Sequence, residues 1–219
     1  MMSIMADRPQ VEEMIARSGL NLSLANINSP EQTVIGGKQD QILRMEEYLS
    51  QNGVLFKRLG VSHAFHTELV SQAAESFYSK IKDMVFDVPK TKVMACHRVD
   101  FYPDTKDGMS SMPSLLKDQI NSVVCFKDAV LKLYEKGVRV FIEAGPSSVL
   151  TNLVKVILDG KDVRVVASNS KRKDSVEGYK EALAELFACG MDVYTLPSKK
   201  DMGCVRKARK RTINTLPCP

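Results

Sequence analysis

Nothing in these 219 residues approaches an unbroken apolar run of about 18 positions, so no membrane-spanning helix is expected. The opening "MMSIMADRPQVEE" lacks a basic stretch followed by an apolar core, so no secretory signal is read there. The cysteines (Cys96, Cys125, Cys189, Cys204, Cys218) are scattered, odd in number and never spaced C-x-x-C. That excludes a zinc ribbon or a disulfide framework, and reduced thiols in a cytoplasmic setting are expected. No G-x-S-x-G, G-x-x-x-x-G-K-[ST] or G-x-G-x-x-G occurs, which leaves a serine hydrolase elbow, a kinase and a dehydrogenase without support. Histidine is scarce too, at three residues, yet two of them, His63 and His66, share one turn.

What is present describes an ordinary globular chain, 44% hydrophobic and 26% charged. The net charge of +5 misleads, because seven basic residues against one acid fall between Lys199 and the C-terminus. Without that stretch the body carries 24 basic and 25 acidic residues, which offers no nucleic-acid-binding face. Residues 196–219 have almost no apolar periodicity and read as a basic, disordered tail, with weak contact to an anionic partner as the alternative.

Residues 1–60 alternate as strand (MSIMA), helix (RPQVEEMIARSG), strand (LSLANI), strand (TVIGG), helix (KQDQILRMEEYLSQNG) and strand (VLFKRLGV). This β-α-β-β-α-β order predicts a ferredoxin-like small subdomain. Residues 61–195 read differently. A helix is expected over 67–84 with Leu69, Ala73, Phe77, Ile81 and Met84 on one stripe, then a strand at "KTKVMAC" and a loop at "DFYPDTKDGMSSMPS". Beyond them come a helix at "FKDAVLKLYEKG" burying Phe126, Val130 and Leu133, a strand at "VRVFIEA", a helix at "VLTNLVKVIL" and a strand at "DVRVVAS". A final helix over 175–189 carries Val176, Tyr179, Leu183 and Leu186 in register. Alternating strands and helices predict a parallel α/β sheet, but three strands are too few for a complete one.

His66, at a strand-to-helix junction, suits general-base chemistry. The plainer reading makes His63 and His66 polar residues tolerated in a turn. A metal site built from His63, His66 and Cys96 or His97 has no second cluster to fix its spacing. "FIEAGPSSVL" places Ser147 and Ser148 at a helix start, but the second glycine of a nucleophile elbow is missing, so an N-cap is expected there.

Four stretches in series, "NINSPEQTVIGG" (26–37), "VSHAFHTELV" (61–70), "QINSVVCFKDAV" (119–130) and "GVRVFIEAGPSSVLTNLV" (137–154), carry a family resemblance. Together they resemble the malonyl-CoA:acyl carrier protein transacylase family, the acyltransferase domain of polyketide and fatty-acid synthases. The resemblance covers about residues 1–190. It implies the C-terminal part of an α/β-hydrolase-like acyltransferase core joined to the ferredoxin-like subdomain, with the active site in the cleft between them. It implies ping-pong transfer of an acyl group from coenzyme A through a serine to a carrier-protein phosphopantetheine thiol. The coenzyme A thioester and phosphopantetheine are substrates, and no permanently bound cofactor or metal is expected.

By the same resemblance His66 matches the catalytic histidine and Gln119 the residue whose backbone carbonyl holds the ring's other nitrogen. "HAFH" (His63 to His66) resembles the malonyl-selecting version, with Phe65 narrowing the pocket against an α-methyl branch. Asn26 and Asn28 match polar positions near the cleft. The family's G-H-S-x-G elbow, its malonyl-clamping arginine and its oxyanion-hole glutamine all precede the small subdomain and are not among these residues. The isolated chain is therefore expected to be inactive, with malonyl-CoA, an acyl carrier protein and a missing N-terminal half or synthase polypeptide as partners, and neither nucleic acid nor membrane. The competing expectation is a non-catalytic module that docks a carrier protein or synthase partner.

Overall fold

The computed structural model describes residues 1–169 and 175–193, and the expected basic tail lies outside them. The chain is α/β and divides into two compact units, Met1–Gly137 and the part from Val138 onward. Among the described residues no helix is long and apolar enough to cross a membrane.

The first unit opens with β1 (Met2–Ile4), α1 (Arg8–Ser18), β2 (Leu22–Ser29), β3 (Gln32–Gly37), α2 (Gln39–Gln51) and β4 (Phe56–Arg58). The strands pair in the order β2-β3-β1-β4, each pair antiparallel, which makes the expected ferredoxin-like subdomain. Helix α1 starts at a capping box: Asp7 accepts from the Gln10 backbone at 2.9 Å, and Gln10 Oε1 accepts from the Asp7 backbone at 3.2 Å. It stops at Gly19, whose φ of 63° is left-handed. Helix α2 buries Ile42, Met45 and Leu49, the stripe its spacing predicts, against Met2, Ile4 and Ile35. Because side chains alternate along a strand, Val34 and Gly36 of β3 face away from that core.

In the rest of this unit the 64–67 turn lies on the other face of that sheet, at Gly36, and residue 124 and the helix that follows it meet the edge strand β2. This part comprises a single turn at Glu68–Val70, α3 (Ser71–Ile81), the hairpin β5 (Met94–Ala95) and β6 (Asp100–Phe101), α4 (Met112–Asn121) and α5 (Phe126–Glu135). Three expectations are corrected here. The Glu68–Val70 turn and helix α3 bury Val70, Ala74 and Ile81, while Leu69, Ala73, Phe77 and Met84 of the expected stripe are exposed. Ile81 is buried as the stripe predicts, but the rest of the buried face lies to one side of that stripe.

The "KVMAC" run is no strand of a parallel sheet. Two of its residues pair antiparallel with β6 across a turn whose Val99 has φ 53°, a conformation unusual for a β-branched residue. The Lys132 ammonium holds that turn, donating to the Val99 carbonyl at 2.7 Å and pairing with Asp100 at 2.9 Å. The expected loop over 100–114 contains β6 and the start of α4, where Pro113 occupies the first turn, a position at which its missing N–H costs nothing.

The second unit holds β7 (Val140–Glu143), α6 (Val149–Ile157), β8 (Arg164–Ala167) and α7 (Ser175–Ala188). β7 and β8 pair in parallel, Val140 opposite Arg164 through Glu143 opposite Ala167, and no third strand joins them among the described residues. Helix α7 buries Ala182, Leu183 and Leu186, while Val176 and Tyr179 of its predicted stripe are exposed. Ser148 holds the N-cap position of α6, but its hydroxyl makes no capping bond. Glu143 does the capping instead, its Oε2 accepting from both the backbone N–H and the hydroxyl of Thr151 at 2.7 Å. A carboxylate is the stronger acceptor and suits the positive end of a helix.

Candidate active site

Three backbone devices in the first unit bring His66 to its neighbours. The first is at β2, an edge strand whose free side is met by residue 124 in a parallel bridge. Val124 N–H donates to the Ala25 carbonyl at 2.9 Å, and Ile27 N–H donates to the Val124 carbonyl at 2.8 Å. This stitch anchors the segment just after α4. The second is Gly36, which lets the 64–67 turn lie directly on β3. A Cβ at Gly36 would meet Thr67 Cγ2 at 2.8 Å and the Ala64 Cβ at 3.1 Å. The turn itself is braced by Thr67, buried, whose hydroxyl donates to the Ala64 carbonyl at 2.6 Å.

The third device is the end of α4. A helix leaves its last carbonyls without partners, and His66 satisfies two of them. Its backbone N–H donates to the Ile120 carbonyl at 3.2 Å, and its Nδ1 lies 3.1 Å from the Gln119 carbonyl oxygen. The residue adopts φ 60°, left-handed, a region that histidine visits more readily than most side chains.

A carbonyl oxygen can only accept, so Nδ1 must carry a proton, and in the neutral ring Nε2 then presents the lone pair. Nε2 has no hydrogen-bond partner among the described residues, and the ring is half-buried. A neutral imidazole held in this way can accept a proton at Nε2.

A family model described as the acyl transferase domain matches residues 2–193. The chain belongs to this family. It is 34% identical over 153 residues to the malonyl CoA-acyl carrier protein transacylase of Bacillus subtilis, covering 68% of this chain and 46% of that protein. It is 33% identical over 148 residues to a polyketide biosynthesis malonyl CoA-acyl carrier protein transacylase of Bacillus velezensis, covering 66% of this chain and 50% of that protein. Its fold matches the crystal structure of a malonyl CoA-acyl carrier protein transacylase from Clostridium perfringens with a TM-score of 0.71 at 27% identity, over 86% of this chain and 58% of that one. The chain thus spans about half the length of the transacylases it matches.

The other residues singled out in this acyltransferase sequence divide. His63 is exposed, its Nδ1 2.8 Å from the Ser62 hydroxyl and its ring tilted against Phe65 with centroids 6.0 Å apart. Phe65 is exposed as well. Asn26 lies on β2 at the bridge to Val124, while the Asn28 side chain donates locally to Gln32 Oε1 at 2.9 Å. No three His, Cys, Asp or Glu side chains converge on a metal position among the described residues.

Two residues that the sequence left in loops stand beside this site. Tyr102 donates its hydroxyl hydrogen to Oε1 of Gln119. His97 lies against the Tyr102 ring with centroids 6.4 Å apart, and both its ring nitrogens are buried without a hydrogen-bond partner among the described residues. Burial holds the His97 imidazole below its ordinary range; Asp118 opposes that effect and Arg98 adds to it.

A depressed folded-state value means that the unfolded chain binds a proton first as pH falls. Stability is therefore expected to drop once pH passes below the usual value of 6.5, and to level off beneath the folded value. Urea midpoints at about pH 7 and about pH 5 check this, with His97→Gln showing the smaller drop. Equal drops in the two proteins would remove His97 as the cause.

Proposed function

We propose that the chain supplies the histidine half of a malonyl-type acyl transfer site. In this reading His66 Nε2 takes the proton of a serine carried outside these residues as its oxygen attacks the malonyl-CoA thioester carbonyl. The imidazolium returns that proton to the departing coenzyme A thiolate. The phosphopantetheine thiol of an acyl carrier protein then loses its proton to Nε2 and attacks the malonyl ester, and the serine leaves reprotonated. The Gln119 carbonyl keeps the ring aimed throughout.

His63 and Phe65 border the acyl group, and Asn26 and Asn28 offer polar contacts to it. Residues 1–60 form the small subdomain, 61–195 the closing part of the core and 196–219 a basic tail. The observation that carries the reading is the His66 Nδ1 bond to the Gln119 carbonyl, which leaves Nε2 as the one basic nitrogen.

Incubated alone with radiolabelled malonyl-CoA, the chain is expected to acquire no stable label, because no residue in it occupies the nucleophile position. Mixed with a serine-elbow half from a stand-alone transacylase, it should support labelling of that half. An adduct on the isolated chain that Ser147→Ala abolishes and His66→Ala leaves intact would overturn the assignment.

A further inference from the structure

Gln119 engages two side chains that are distant in sequence. Its backbone carbonyl accepts from His66, and its side-chain Oε1 accepts from the Tyr102 hydroxyl. Gln119 sits in the last turn of α4, where its carbonyl has no helical partner to hold the peptide plane. A last turn frays readily, so a carbonyl there orients a ring well only if something else fixes the residue.

Tyr102 has the support to do so. Its own N–H donates to the Val93 carbonyl at 2.9 Å, closing the hairpin that carries it. That hairpin is tied to α5 through Lys132 and through the Cys125 N–H, which donates to the Cys96 carbonyl at 3.2 Å. Burial, and secondarily the Cys96 thiol, push the Tyr102 phenol up from its usual range, so it remains a neutral donor.

We propose that Tyr102 is a positioning residue whose hydroxyl, by anchoring the Gln119 side chain, fixes the carbonyl that holds His66 with Nδ1 protonated and Nε2 open. This rests on the reading of His66 as the base. The left-handed turn at Val99 immediately precedes β6, and the phenol follows that strand, so the turn helps to set where the phenol sits.

Nitrogen-15 spectra of the 219-residue chain at about pH 9, where imidazole is neutral, report the tautomer directly. Signals lost in His66→Asn identify the ring. Wild type is expected in the Nδ1–H form. Tyr102→Phe, which removes one oxygen, should move the ratio about fivefold toward Nε2–H, the effect of one lost hydrogen bond.

Gln119→Leu keeps the backbone carbonyl, deletes the side-chain acceptor and should give the same shift. The double variant should shift no further than either single one, because the two act through one bond. A wild-type tautomer ratio in either single variant, or shifts that add in the double variant, overturns the role of Tyr102 and leaves the His66 reading standing. Wild-type protein found in the Nε2–H form overturns both.

Discussion

Replacing His66 with asparagine is expected to lower malonyl transfer by about 10²–10⁴-fold once the chain is paired with a serine-elbow half, the range that general-base catalysis contributes. Asparagine is the informative choice. Position 66 has φ 60°, which asparagine tolerates, whereas alanine there would cost roughly 1–2 kcal/mol in backbone strain and blur the result. The asparagine amide can still donate to the Gln119 carbonyl, so what disappears is the basic nitrogen and little else. Single-turnover transfer from labelled malonyl-CoA to a carrier protein measures the loss, and circular dichroism checks the fold. A variant that keeps near-wild-type turnover would show that the proton goes elsewhere.

Gly36→Val is expected to act on the same imidazole from beneath. The added carbons enter space held by Thr67 Cγ2 at 2.8 Å and the Ala64 Cβ at 3.1 Å. Neither neighbour can swing aside, since Thr67 is buried and its hydroxyl is bonded to the Ala64 carbonyl. The turn must lift off β3, which stretches both bonds from His66 to the end of α4. Overpacking of this kind costs about 1–3 kcal/mol, and a displacement near 1 Å at a reacting group can lower turnover by about 10²-fold.

Gly37→Ala is the control. Its Cβ would press on Leu22 Cδ2 at 2.5 Å, the far end of a side chain in the opposite core, and touches nothing in the 64–67 turn. It should lower the urea midpoint and spare the His66 tautomer, while Gly36→Val should disturb both. Equal tautomers in the two variants would show that the turn does not depend on Gly36.

The parts of this chain that were legible in its sequence are those governed by local rules. Helix α1 announces itself with Pro9 in its first turn and Gly19 after its end, and α2 with a stripe that has a single apolar solution, Ile42, Met45 and Leu49. The pairing of His66 with the Gln119 carbonyl was reached through resemblance, since a separation of 53 positions carries no local signal for it. Elsewhere two local solutions competed. Around α3 apolar residues occupy two adjacent stripes, and packing against α4 selects Val70, Ala74 and Ile81 over Leu69, Phe77 and Met84.

The start of α4 was hidden because Asp, Gly, Ser and Pro crowd residues 104–114 and read as turn, although proline is at home in a helix's first turn. The hairpin at residues 94–101 was missed because no glycine or asparagine marks its left-handed position; Val99 is held there by Lys132, a contact 33 residues away. Glu143 replaced Ser148 as the cap of α6 for a similar reason: the acceptor comes from the preceding strand, five residues before the cap position, where no capping pattern looks.

The uncovered stripe of α3 also bears on how the polypeptide must be made. Leu69, Phe77 and Met84, which lie before, within and after this helix, are all exposed, and Val85 follows them almost fully exposed at 94%. Such a surface dries readily against any greasy neighbour. Yield of dispersed material should hence depend on what is synthesised alongside, rising when a complementary polypeptide is translated in the same cell and falling as the ribosome output of this chain alone increases.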